Sequence, residues 1–159
     1  MNPVVRGALV LGGGVVVWTF VMGFTGWYRH PTLLHLFLAV AIPWQVAVLL
    51  WTLRASAPTH GYLRQVASGL ATSALGGVLI FLGSLAFTTL AFPDYFRELE
   101  ATGRALMVQK GVAPDQIEAA IRAAAPTQTP MFNALSGAVG TLVTGLLVSL
   151  VAAAFIRRR

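Results

Sequence analysis

The sequence predicts an all-α integral membrane protein: four transmembrane helices, with a two-helix extracytoplasmic insert between the third and fourth. Three observations carry that reading. Hydrophobic residues make up 57% of the chain and charged residues 10%, whereas a soluble domain is roughly a quarter charged. Four apolar windows, at 4–24, 32–53, 63–92 and 131–156, each reach the about 20 residues that a helix needs to cross the hydrocarbon core. All 5 acidic residues, Asp94, Glu98, Glu100, Asp115 and Glu118, fall between the third and fourth windows. The 159 residues form a single membrane domain, with the insert at 93–130.

Composition excludes several chemistries. There is no cysteine, which removes disulfides, thiolate metal sites, iron–sulfur clusters and cysteine nucleophiles. The net charge of +6 does not mark a nucleic-acid binder, because the basic residues punctuate apolar runs instead of clustering on a soluble face. No cofactor, metal ion or nucleic acid is expected.

In the first window Arg6 is followed by the apolar run Gly7 to Phe24, which leads into Gly26-Trp27-Tyr28-Arg29-His30-Pro31. No A-x-A-type cleavage site follows it, and it exceeds the about 7–15 residues of a signal-peptide core, so it reads as an uncleaved first span. The triplet Gly12-Gly13-Gly14 lacks the Lys-Ser/Thr of a phosphate loop and reads as close helix contact. In the second window Pro43 removes a hydrogen bond to the Ala39 carbonyl and predicts a kink. Gln45 then bonds a carbonyl freed by that kink or a neighbouring helix, or else marks a polar point in a substrate path. The first reading is preferred, since unpaired polar groups in lipid are costly.

The three histidines do not converge. His30 and His35 are separated by about 140° around a helix, and His60 lies in another loop. His35 alone is the candidate for a haem or chlorin ligand, against the simpler reading of a histidine packed near the interface.

The third window carries Gly69, Gly76 and Gly83 seven residues apart, with Ser73 on the same side; this predicts a packing seam on one face. The fourth carries Gly137, Thr141, Gly145, Ser149 and Ala153 at i+4 spacing, an extended ridge of small residues for close helix contact. Spacing alone leaves open whether the partner helix lies in this chain or another.

Within the insert, Pro93 and Asp94 suit a helix start. Phe96, Leu99, Gly103 and Leu106 recur on one weakly apolar face. Glu100 and Arg104 form an i,i+4 pair, and Gly111 is placed to end the helix. A second helix starts at Pro114, with Asp115 and Glu118 in its first turn, Arg122 one turn later, and Ile117, Ile121 and Ala124 on its apolar side. Pro126 and Pro130 stop it. The carboxylates show neither calcium-loop nor zinc spacing and read as a solvated polar face.

Four spans put both termini on one side. Arg6, Arg54, Arg64, Arg157, Arg158 and Arg159 then share that side with no acid, against Arg29, Arg97, Arg104, Lys110 and Arg122 on the other. The positive-inside tally is six basic residues to five, and the terminal arginines abut a span, so both termini are placed in the cytoplasm and the protein in the cell inner membrane. Trp27, Tyr28, Phe92, Tyr95 and Phe96 at one interface, and Trp51 and Tyr62 at the other, fit as aromatic anchors.

The run Gly61-Tyr62, the third span, Pro93-Asp94-Tyr95-Phe96, a helix ending near Gly111 and a second short helix form a recognisable order. Pro130-Met131-Phe132-Asn133-Ala134-Leu135, Gly140 to Leu146 and a basic end then follow. Most clearly over 61–159, this resembles the bacterial family of small four-span membrane proteins known as domain of unknown function 4199. The resemblance implies four membrane helices with an extracytoplasmic helical insert. It implies no activity, cofactor or site residue.

The expected function is that of a non-enzymatic accessory, scaffold or assembly component whose packing faces bind another copy or a larger membrane complex. The alternative is a subunit of a small oligomeric transporter or channel, for which only Gln45, Ser73, Thr141 and Thr144 supply polar groups inside the spans. An enzyme ranks third, because the chain has no G-x-S-x-G or H-E-x-x-H constellation.

Overall fold

The computed structural model describes residues 2–57 and 61–156, with residues 31, 32 and 34 described by their backbone alone. His60 and the basic run Arg157, Arg158 and Arg159 lie outside the described residues. Six helices follow in order: α1 (Pro3–Phe24), α2 (Pro31–Ser56), α3 (Tyr62–Ala86), α4 (Tyr95–Gln109), α5 (Pro114–Ala124) and α6 (Pro130–Phe155). No strand occurs among the described residues. The four apolar windows coincide with α1, α2, α3 and α6, which are long and apolar enough to cross a membrane.

Local chemistry sets the helix ends. Proline occupies the first turn of α1, α2, α5 and α6, where its missing N–H costs nothing and its fixed φ suits the helix. The Asn2 side chain accepts from the Val4 N–H at 2.9 Å, and the Thr129 hydroxyl accepts from the Phe132 N–H at 3.2 Å, so two of these starts are capped. Gly111, at φ 72°, ends α4. Its N–H donates to the Val108 carbonyl and the Val112 N–H donates to that of Met107, the two bonds of a Schellman cap. The sequence places the start of α4 at Pro93, but the helix begins at Tyr95. Asp94 spends its carboxylate on Arg97 at 2.9 Å and makes no side-chain cap bond.

α3 is the central helix and lies between α6 and α1. Against the antiparallel α6 the contacts are reciprocal: Gly69 receives Ser149, and Gly145 receives Ser73. Both serines are wholly buried. Further along the same seam Gly77 meets Ala138, and Gly137 meets Ile80. On the other side of α3, Gly76 takes the Leu11 side chain and Gly83 takes Val16, both from α1. The seven-residue stripe therefore serves two neighbours, with Gly69 and Ser73 on α6 and Gly76 and Gly83 on α1. A straight helix drifts by about 20° per heptad against a seven-residue repeat, so a stripe on the border between two neighbours passes from one to the other.

α2 closes the bundle with polar and aromatic contacts. The Trp44 ring covers Gly14, and its indole N–H donates to the Val10 carbonyl at 3.3 Å. Thr52 sits on Gly7. The buried Gln45 amide donates to the Thr141 carbonyl of α6 at 2.7 Å, so of the bonding options open to it Gln45 takes a neighbouring helix. The Thr141 hydroxyl in turn donates to the Gly137 carbonyl at 2.9 Å. Pro43 is accommodated within an α2 that stays helical from Pro31 to Ser56.

Polarity runs opposite to that of a soluble protein. Gln45, Thr52, Thr72, Ser73, Thr141 and Ser149 are buried, while Val17, Leu82, Leu147 and Phe155 lie on the surface. Water penalises such an exterior and hydrocarbon does not. A small apolar core of Leu11, Val15, Val48, Leu49 and Ile80 fills the middle.

The seam makes a paired prediction. A Cβ at Gly145 would lie 2.5 Å from the Cβ of Ser73, which side-chain rotation cannot move, whereas Gly140 faces open space. Gly145→Val is expected to lower stability by about 1–3 kcal/mol, the usual effect of overpacking. Gly140→Val is expected to leave it unchanged, and thermal unfolding in detergent compares the two.

Candidate functional site

The charged residues converge where the turn between α1 and α2 meets the start of α4. α1 ends at Phe24, and the chain turns at Gly26, whose φ of 69° is a backbone state that glycine adopts without strain. A short 3-10 turn at Trp27–Arg29 follows and directs Tyr28 inward, where only 3% of its surface stays exposed. Arg29 points out toward α4 and grips Glu98 with two bonds, Nε to Oε2 at 2.9 Å and Nη2 to Oε1 at 3.0 Å. The Tyr28 hydroxyl donates to the same Oε2, and Arg29 Nε also reaches that hydroxyl at 3.3 Å. A bidentate guanidinium–carboxylate pair fixes direction as well as distance, so this clamp orients α4.

An aromatic cluster lies beneath the clamp. After Ala86 the third helix widens into a π turn, Phe87–Ala91, closed by the Phe92 N–H donating to the Phe87 carbonyl at 2.8 Å. That i→i+5 spacing stacks Phe87 and Phe92, their ring centroids 4.7 Å apart. Tyr95 then packs on Phe87 at 5.4 Å and on Tyr28 at 5.0 Å, and α1 adds Phe20 and Phe24. The Thr88 and Thr89 hydroxyls donate back to the carbonyls of Ser84 and Leu85 at 2.9 Å and 2.6 Å, the i−4 bonding that threonine makes within a helix.

Further ion pairs lie within the insert. Arg104 binds Glu118 across the two insert helices at 2.5 Å and stands 3.9 Å from Glu100. Its stronger partner is thus on α5, and the expected i,i+4 pair is secondary. Ile117 of α5 is buried. Among the described residues no group of three or more His, Asp and Glu side chains is placed to hold a metal ion. His30 and His35 are exposed on separate elements.

Electrostatics follow from these contacts. The Tyr28 hydroxyl, and after it the Arg29 guanidinium, hold the Glu98 carboxyl below the usual carboxylate range. Burial, with the Glu98 carboxylate beside it, pushes the Tyr28 phenol up, and burial does the same to Tyr95. Both oxygens of Glu98 are engaged by its partners, so the carboxylate acts as a fastening point and is not free to serve as a general base. Tyr28, Arg29 and Glu98 were legible in the sequence only as an interface aromatic, an orientation charge and part of a solvated face. The one available signal was that Arg29 is the sole basic residue in the turn between the first two windows, on the same side as all the acids.

Because the folded value of Glu98 is lowered, its contribution to stability is present above the ordinary glutamate pKa and is lost as pH falls through the folded value. The thermal midpoint of the wild type should therefore drop on acidification through that window. Glu98→Gln should start lower at neutral pH and lack that part of the acid dependence, as scanning calorimetry or circular dichroism across a pH series will read.

The family model described as Protein of unknown function (DUF4199) matches residues 7–158. No curated protein and no solved structure matches the chain. A match across nearly the whole of the four long helices and the insert assigns this chain to the DUF4199 family.

Proposed function

We propose that this chain is a non-enzymatic, multi-pass protein of the bacterial inner membrane, with both termini cytoplasmic, acting as an accessory, scaffold or assembly component. The observation that supports this best is where the chain places its polar groups. Inside the bundle the Gln45 amide is committed to the Thr141 carbonyl, and the small-residue faces of α3 and α6 are filled by each other's serines. The paired charges gather at one end and hold α4 and α5 as a fixed platform. The design spends its charge on position and leaves no free acid–base group in the clamp.

The small-residue ridges are used within the chain, so a partner would meet the insert or the outward faces of the long helices. Orientation is supported by Arg6, Arg54 and Arg64 at the end of the bundle opposite the five acidic residues.

Two measurements test this reading. The chain lacks cysteine, so single cysteines at Ala57 and Gln109 report sidedness. An impermeant thiol reagent added to intact cells should label position 109 and spare position 57, and the reverse pattern would overturn the orientation. Purification in a mild detergent, with mass spectrometry of the intact assembly, should recover a homo-oligomer or a stoichiometric partner. A clean monomer would count against the scaffold role, as would solute flux in liposomes that Gln45→Leu abolishes.

A further inference from the structure

The end of the bundle where α1 and α3 begin and α2 ends holds a charge arrangement unlike that of the insert end. Arg6 on α1, Arg54 on α2 and Arg64 on α3 are all exposed there. Among the described residues none of them is paired with a carboxylate, because every acid of the chain lies in the insert at the other end. Arg6 is also held in place. Its guanidinium lies over the Trp51 ring of α2, 5.5 Å from the centroid, and Pro3, Arg6, Trp51, Thr52 and Ala55 line a recess of about 90 Å³ between the two helices. Stacking on an aromatic face leaves the edge of a guanidinium free, and that edge carries its N–H donors in the fork that matches phosphate oxygens. Tryptophan at the end of an apolar helix sits at headgroup depth.

We propose that the Arg6–Trp51 recess is a binding site for an anionic phosphate headgroup, with the Arg6 guanidinium as the phosphate ligand and the Trp51 ring as its support. Arg54 and Arg64 add attraction for net negative charge and disfavour a headgroup that carries its own cation. The proposal rests on the reading of α1 and α2 as membrane spans and adds to it a preferred lipid class. A free phosphate ion offers the same oxygens, so the test separates the two sources.

The experiment uses the full chain in maltoside micelles and reads lipid retention by native mass spectrometry. Phosphatidylglycerol should be retained in preference to phosphatidylcholine. Arg6→Gln should weaken that retention about fivefold, the effect of one basic residue beside an anionic surface. Trp51→Leu, which keeps the charge and removes the support, should weaken it too, while Arg122→Gln on α5 should not change it. Circular dichroism checks that each variant is folded, and Arg6→Lys, with charge but no planar fork, should recover only part of the loss. Displacement of phosphatidylglycerol by inorganic phosphate at equal concentration would assign the site to the free ion, and no displacement assigns it to the lipid. Equal retention of the two lipids, or retention unaffected by Arg6→Gln, overturns the proposal. Alkaline carbonate extraction keeps the two readings apart. Release from the membrane fraction would sink the membrane reading itself, and a pelleted protein without lipid preference would sink only the site.

Discussion

Close approach of α3 and α6 is the contact on which the bundle depends. In hydrocarbon there is no hydrophobic reward for bringing two helices together, so association rests on dispersion contacts and interhelical hydrogen bonds. Dispersion weakens steeply with distance, and only small residues let two backbones come near. Gly69 and Gly145 open the space that Ser149 and Ser73 fill. Reciprocity means that neither helix can slide along the other without driving a serine into a backbone. The Gln45 amide, bonded to the Thr141 carbonyl one turn away from Gly145, fixes α2 to the same register. α1 then completes the bundle by fitting Leu11 and Val16 onto the glycines at the other side of α3.

The insert is held by a different kind of force. α4 has no fully buried residue, and it is Tyr95 in its first turn that packs into the aromatic cluster. Its position is set by the Arg29–Glu98 fork, the Tyr28 hydroxyl and the aromatic stack that the π turn builds. At an exposed site an isolated ion pair contributes little. Here two donors fixed on one short turn share one carboxylate, and the buried Tyr28 ring limits how far the turn can move. The platform and the bundle are thus joined through one corner.

Much of this was readable in the sequence, and the reasons differ from element to element. The four long helices announce themselves because hydrocarbon demands an unbroken apolar run, and Gly111 announces the end of α4 because few other residues adopt positive φ at low cost. The serine and glycine spacing on α3 and α6 marks close contact but does not name the neighbour, since a stripe on a helix border faces two elements at once. The pairing of Arg29 with Glu98 spans 69 positions and leaves no local trace. The π turn was hidden as well. Thr88 and Thr89 bond back to carbonyls one turn earlier, as threonines in ordinary helices do too. Arg104 chose Glu118 over Glu100 because the Gly111 cap folds α5 back alongside α4.

The α3–α6 seam also sets an order of assembly. Chains emerge N-terminus first, so α1, α2 and α3 are available to one another before α6 exists. Until the last helix arrives, Gly69 and Ser73 present a bare groove to the lipid, and the Gln45 amide has no Thr141 carbonyl to meet. Closure of the bundle is therefore a late event, reserved for the final helix of the chain. The residues of the corner clamp, Tyr28, Arg29 and Glu98, all precede α6 in the chain, so the clamp does not depend on α6 to supply any of its parts.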